Sequence, residues 1–197
     1  MPGHKFNPRN AFILEGMLRR FFMPWQEVLA ALAPQRSDVW VDIGCGPGYF
    51  TIPLASLVQK VYALDISERM IERVKDKAGN LGITNIEPKL SQENVLPLDD
   101  ESVDGAFLVF VVHELDDPDR FFPETARILR KGGRAFVVEF PKENVSFGPP
   151  LRARVSKDQA DSWASRAGLS PARSWKWSRS LFGWRYVSMV GWEYTKT

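Results

Sequence analysis

Gly44, Gly46 and Gly48 fall at alternate positions of one stretch, Val39-Trp-Val-Asp-Ile-Gly-Cys-Gly-Pro-Gly-Tyr49, with Asp42 just before them and Asp65 twenty-one residues beyond Gly44. Glycine lets backbone turn tightly or approach a ligand where a Cβ would clash. A carboxylate at the Asp65 spacing can accept two hydroxyl hydrogen bonds from a ribose. Together these residues suit a nucleoside-bearing ligand; the plainer alternative is a glycine turn with no ligand. A second group is His113-Glu114. Imidazole titrates near neutrality and can take a proton, while Glu114 could orient it or bind a substrate cation. His113 could equally cap local backbone or pack under a sheet rim. The third group is Arg152 and Arg154, beside Gly148-Pro-Pro150, which could bind an anionic small substrate. Cys45 has no histidine nearby in sequence, and a small residue in a tight turn explains it without nucleophilic or metal chemistry. Tyr49 suits packing beside a ligand rather than proton transfer, given a phenol pKa of ~10. His4 is more weakly placed.

The elements that position these groups follow from hydrophobic pattern. Val39, Val41 and Ile43 make a first strand stopped by glycine, and Phe50 to Val58 offers a short helix with Pro53 in its first turn. Val61 to Asp65 reads as a second strand. A helix follows, with Ser67 as cap, Glu68 in its first turn and Met70, Ile71 and Val74 as its apolar stripe before Gly79. Ile86 to Leu90 is a short third strand weakened by Pro88, and Val103 to Val112 a fourth whose near-continuous apolar character suits burial on both faces. Pro118 to Leu129 reads as a helix leaving through Gly132-Gly133, and Arg134 to Phe140 as a fifth strand. Alternating strands and helices imply an open α/β sheet with right-handed crossovers.

The flanks are less regular. Met1 to Asn10 reads as an arm. Ala11 to Ala33 reads as two helical pieces broken near Pro24, packed over the sheet edge or folded as a lid over the ligand mouth. Asn144 to Arg154 is a loop. Ser156 caps a helix running through Trp163 to Ala167 and ended by Gly168, and Ser174 to Tyr194 fits two antiparallel strands joined around Phe182-Gly183. The expected organisation is one domain over 1–197: a helical lid or arm over 1–33, a ligand-binding core over 38–140, and a substrate-side loop, helix and hairpin over 141–197.

Composition limits the classes. At 197 residues, with 44% hydrophobic and 25% charged residues, the chain can bury one sizeable core. A single cysteine excludes a disulfide framework and a cluster of several zinc thiolates, and no metal site is expected. The absence of a secretory pattern and of a long apolar run points to a soluble cytoplasmic protein. The net charge of +2 does not by itself imply nucleic acid, although residues 141–197 carry ten Lys/Arg against four Asp/Glu.

The nicotinamide fingerprint needs Gly-x-Gly-x-x-Gly, but Tyr49 stands where its third glycine would fall. The compressed Asp42-x-Gly44-x-Gly46-x-Gly48 resembles motif I of the class I S-adenosylmethionine-dependent methyltransferases. Asp65, Ser91 to Leu98 with Asp104, His113-Glu-Leu115 and Leu129-Arg-Lys-Gly-Gly133 follow in matching order, so the resemblance spans Asp38 to Phe140. It implies a Rossmann-like class I methyltransferase fold: a mostly parallel seven-stranded sheet, flanked by helices, with an antiparallel C-terminal hairpin. It also implies S-adenosyl-L-methionine as cofactor and S-adenosyl-L-homocysteine as product. By the same resemblance, Gly44, Cys45, Gly46 and Gly48 carry the backbone beneath the methionine end, and Asp42 orders that turn. Tyr49 packs beside the cofactor, Asp65 binds the ribose, Ile66 lies against the adenine, and Met70 is a further cofactor-binding position. Gln92 stands where many members carry an aspartate for the adenine amino group. The Glu93 N–H would meet an adenine nitrogen and the Phe110 carbonyl the methionine ammonium.

A sulfonium methyl is already activated, so the protein's work is to place an acceptor in line and exclude water. A base such as His113 helps where the acceptor must lose a proton. A small-molecule acceptor is favoured. Against it stand an RNA or protein methyltransferase and a non-catalytic regulatory domain that binds the cofactor. The nucleic-acid reading rests on Trp163, Trp175, Trp177, Trp184 and Trp192 interspersed with Arg166, Arg173, Lys176, Arg179 and Arg185. Trp175 and Trp177, however, share a strand face and could instead cover the sheet.

Overall fold

The computed structural model describes residues 23–143, 148–181 and 184–197, with the side chains of 179–181 and 184–187 not described. The N-terminal arm with His4, the helical piece before Met23 and the Phe182-Gly183 turn lie outside the described residues. Seven strands form one sheet in the order β3-β2-β1-β4-β5-β7-β6. They are β1 (Val39–Ile43), β2 (Lys60–Asp65), β3 (Ile86–Leu90), β4 (Val103–Val109), β5 (Leu129–Glu139), β6 (Leu169–Leu181) and β7 (Trp184–Lys196). The first five run parallel, and β7 is antiparallel to both β5 and β6. The helices are α1 (Trp25–Leu32), α2 (Thr51–Ala55), α3 (Glu68–Asn80), α4 (Pro118–Ile128) and α5 (Lys157–Arg166).

Strand periodicity divides the core between the two faces of the sheet. Trp40, Phe107, Phe136 and Val138 pack with α1 and α2, while Val41, Ala106, Leu108 and Val137 pack with α4 and α5. The hairpin completes both layers: Trp177 and Met189 lie on the first face, Val190, Trp192 and Tyr194 on the second. Pro88 is tolerated because β3 is an edge strand.

Several boundaries move from their sequence-based positions. Ser67 occupies the α3 N-cap without a side-chain capping bond; its N–H instead donates to Asp65 Oδ1 at 2.9 Å. Helix α3 continues past Gly79, and the left-handed turn comes at Gly82 (φ 65°). Strand β4 stops at Val109 because Phe110 adopts a left-handed backbone (φ 59°), followed by a 3-10 turn over Val112–Glu114. Gly132-Gly133 is not a helix exit but part of β5. Leu129 is already extended and pairs with Val103, and a register shift before the Gly105–Arg134 pair absorbs the glycines. Ser156 caps α5 as expected, within a full capping box with Gln159.

Candidate active site

The parallel strands bring the glycine turn after β1, Asp65 at the end of β2, the Phe110–Glu114 turn after β4 and Glu139 at the end of β5 to one sheet edge. Gly44, Gly46 and Gly48 have φ of 69°, 52° and 81°, so all three use the left-handed conformation. They differ in what surrounds them. A Cβ on Gly44 would lie 2.5 Å from Val111 Cγ2, so this glycine is required by packing against the turn after β4. A Cβ on Gly46 would meet nothing within 4 Å among the described residues, so among these the turn opens on a space a ligand can fill.

The turn is braced from three sides. Buried Asp42 accepts the Thr51 hydroxyl at 2.5 Å, tying β1 to α2. Lys77 Nζ donates to the Pro47 carbonyl at 2.9 Å from α3. Asp65 Oδ2 accepts the Gly46 N–H at 2.9 Å, while Oδ1 takes the Ser67 N–H. Two carboxylate oxygens offer about four acceptor sites, so capacity is left for a ligand hydroxyl beside the N–H groups already bound. Burial raises the Asp65 pKa above the ordinary carboxylate value, against the lowering effect of these N–H groups. Ile66, next in sequence to Asp65, and Leu90, paired with Asp65 across β2 and β3, are 55% and 54% exposed and offer apolar surface beside this carboxylate. An open glycine turn, an acceptor carboxylate and exposed apolar flanks fit an adenosyl group bearing a charged amino-acid end.

The remaining expected contacts fall as follows. Met70 is buried on α3. Tyr49 donates its hydroxyl to the Met23 carbonyl at 2.8 Å, anchoring the approach to α1 beside the turn. Gln92 is exposed and forms a tight turn with Val95. The Glu93 carboxylate accepts the Asp116 and Asp117 N–H groups at 2.7 and 3.2 Å, joining its loop to the start of α4. Cys45 is buried, and burial, then the Asp42 and Asp65 carboxylates, push its thiol pKa well up. A thiol held protonated is a poor nucleophile.

Beside the turn, Phe110 and Phe140 stack with centroids 4.0 Å apart, and His113 meets Phe140 edge-on at 5.7 Å. His113 Nδ1 lies 2.8 Å from Glu139 Oε2, and Glu139 Oε1 accepts the His113 backbone N–H at 3.2 Å. Glu139 is 1% exposed and also accepts the Phe140 N–H. Glu114 Oε1 stands 3.8 Å from His113 Nε2. Burial disfavours charge on His113, but the Glu139 hydrogen bond and the Glu139 and Glu114 charges outweigh it. Its pKa therefore lies above the ordinary imidazole value, with Arg154 opposing. Arg154 itself is buried and donates to the carbonyls of Pro149, Pro141 and Glu143, so it ties the two sides of the 141–150 segment together. Arg152, in the short 3-10 turn Leu151–Ala153, is exposed.

Among the described residues, the tryptophans of the aromatic–basic pattern near the C-terminus pack internally, while the basic side chains lie at the surface. Trp175 and Trp177 stack with centroids 6.5 Å apart over Phe136, Trp192 is buried, and Trp163 packs on Phe122. Arg166, Arg173 and Lys176 pair with Asp119, Glu193 and Glu143. The side chains of Arg179, Trp184 and Arg185 are outside the described residues. No helix among the described residues is long and apolar enough to cross a membrane. Two surface hollows, around Gln59, Asn85 and Glu87 and around Asp38, Arg130 and Gly133, lie at the opposite, amino edge of the sheet. Ligands of open α/β sheets bind at the carboxyl edge, where the glycine turn lies.

Glu139, Lys77, Val111 and Leu90 did not stand out in the sequence. Glu139 had one signal, a carboxylate closing the apolar run Ala135-Phe-Val-Val138. Lys77 and Val111 had none, because each acts through a contact distant in sequence.

Residues 41–137 match the family model described as a methyltransferase domain. The chain is 34% identical over 137 residues to a ubiquinone biosynthesis O-methyltransferase of Caulobacter vibrioides, covering 69% of this chain and 53% of that protein. It is 30% identical over 112 residues to a ubiquinone/menaquinone biosynthesis C-methyltransferase of Escherichia coli, covering 55% of this chain and 45% of that one. The chain thus spans about half the length of these curated relatives. Among solved structures, an S-adenosylmethionine-dependent methyltransferase from Aquifex aeolicus superposes with a TM-score of 0.87 at 26% identity, covering 98% of this chain and 100% of that one.

Proposed function

From the premise that the chain belongs to the class I S-adenosylmethionine-dependent methyltransferase family, we propose that it transfers a methyl group from S-adenosylmethionine to a small-molecule acceptor held beside His113. The observation that carries the cofactor reading is the Asp65–Gly46 bond beneath a glycine turn that opens on space. In this reading Asp65 takes the ribose hydroxyls, and Ile66 and Leu90 flank the adenine. The Gly44–Gly48 backbone lies under the methionine end, with the Phe110 carbonyl as partner for its ammonium. Gln92 and the Glu93 N–H hold the adenine edge. When bound, the cofactor supplies a methyl group already activated by sulfonium charge.

What remains for the protein is orientation and proton removal. His113 accepts the acceptor's proton, and the Phe110–Phe140 pair, with Arg152 nearby on the 3-10 turn, borders the acceptor's place. One relative is named for O-methylation and another for C-methylation at similar identity, so resemblance does not choose the acceptor atom. Packing of Trp175 and Trp177 against the sheet supports a small acceptor over RNA. Titration calorimetry tests the cofactor reading: S-adenosylhomocysteine binds and NAD does not. Binding of NAD alone, or of neither, overturns it. Transfer of labelled methyl from S-adenosylmethionine to a quinol, phenol and amine panel tests the acceptor reading. Transfer only to RNA or protein overturns that part.

A further inference from the structure

We propose that Glu139 is a positioning residue for His113: by accepting a hydrogen bond from Nδ1–H it fixes the imidazole so that Nε2 receives the proton of the methyl acceptor. This inference rests on the methyltransferase reading above, but it is carried by contacts in the protein itself.

Glu139 closes β5, while His113 lies in the 3-10 turn after β4, so the pair joins neighbouring strands at the edge where the glycine turn opens. A carboxylate accepts hydrogen bonds and does not donate them, so at 2.8 Å the Nδ1 atom must carry the hydrogen. The contact is not a loose surface pair: the two side chains are 7% and 1% exposed. Glu139 also holds the His113 backbone N–H, so one carboxylate fixes both the ring and the turn that carries it. The Phe140 ring limits the imidazole edge-on. Neutral imidazole has one donor and one acceptor nitrogen; with Nδ1–H committed, the lone pair is on Nε2. Among the described residues Nε2 makes no hydrogen bond, and its nearest charged neighbour is Glu114 Oε1 at 3.8 Å.

The groups that act on the ring's charge are Glu139 and Glu114, which favour the protonated form, and Arg154, which opposes it. During transfer the acceptor–hydrogen bond breaks and its proton moves to Nε2. The acceptor–carbon bond forms as the sulfur–carbon bond breaks, with that electron pair remaining on sulfur. Glu139 takes no proton in this scheme; its negative charge stabilises the imidazolium produced.

The chain contains only two histidines, His4 and His113, so a His4→Gln background leaves one imidazole to observe. Nitrogen-15 histidine NMR on that protein reads the tautomer directly. Above the titration midpoint the proton should reside on Nδ1; a proton on Nε2 overturns the proposal without any need for a variant. In Glu139→Gln, whose folding is checked by circular dichroism, the midpoint should fall because the carboxylate charge is gone. An unchanged midpoint also overturns it. With an acceptor in hand, the inflection of kcat with pH should move the same way, and kcat should fall by ~10-fold or more with S-adenosylhomocysteine affinity retained. An identical inflection in both proteins means the imidazole is not the base. Calorimetry with S-adenosylhomocysteine on the same samples separates failure of this inference from failure of the cofactor reading.

Discussion

Asp65 Oδ2 accepts the Gly46 N–H at 2.9 Å, so the end of β2 holds the glycine turn that leaves β1. One carboxylate thereby shapes the turn and, in the proposed function, offers acceptors to a ribose. Replacing it with alanine removes both effects. Asp65→Ala should weaken S-adenosylhomocysteine binding by ~100-fold or more, since hydrogen bonds to a charged group contribute about 1.5–3 kcal/mol each. The Gly46 amide should also exchange faster in the ligand-free protein. Calorimetry and hydrogen exchange read the two consequences separately. Unchanged affinity in a folded variant would remove Asp65 from the cofactor site.

Gly44 and Val111 make a second junction between the turns after β1 and β4, and it can be tested by a double variant. Gly44→Ala meets both a left-handed backbone (φ 69°) and the Val111 methyl, 2.5 Å from the new Cβ. It should lose about 2 kcal/mol or more of stability and bind S-adenosylhomocysteine weakly. Adding Val111→Ala should restore part of the stability, since it removes the clash but not the backbone strain. Strictly additive losses in urea melts would show that the two residues do not meet.

How far the molecule could be read in advance follows from the range of each determinant. Strands such as Val39–Ile43 and Lys60–Asp65 declare themselves through local pattern, and the Gly44–Gly48 spacing with Asp65 singles out the sheet edge of the proposed cofactor site. The N-cap of α5 was likewise local, Ser156 and Gln159 lying three residues apart. Gly132-Gly133 misled because a register shift inside a strand and a helix exit use the same residues; only pairing of Leu129 with Val103 distinguishes them. His113 was recognisable as a chemical group, but Glu139, twenty-six residues later, was not. Their meeting depends on β4 and β5 being neighbours. Arg154 offered charge in the sequence, but its bonds to the carbonyls of Pro149, Pro141 and Glu143 depend on how the 141–154 segment folds back on itself.

Gly105, in the middle of β4, makes room for the indole of Trp40 on β1. A Cβ there would lie 2.5 Å from three ring atoms, and Trp40 is fully buried. Gly105→Ala should cost about 1–3 kcal/mol by overpacking. Trp40→Leu should also destabilise, by emptying space beside Phe107 and Phe136. The double variant should lose less than the sum, because the smaller side chain accommodates the new methyl. A chemical-denaturation cycle giving a sum within ~0.5 kcal/mol of additive would contradict the packing described.

The His113–Glu139 pair also predicts how stability responds to pH. The folded-state pKa of His113 is raised, so the folded protein holds this proton more tightly than the unfolded chain does. The resulting stabilisation is fully present below the unfolded histidine value of ~6.5 and is lost as pH rises through the higher folded value. His113→Gln cannot take up the proton, so it forgoes only this pH-dependent part in addition to any fixed packing loss. The stability gap between wild type and His113→Gln should therefore be larger at about pH 5.5, below the unfolded value, than at about pH 8.5, above it. Urea denaturation at both values measures it, with fixed packing losses cancelling in the comparison. A gap that is constant, or that widens toward alkaline pH, would mean that Glu139 does not hold a protonated His113 in the folded state.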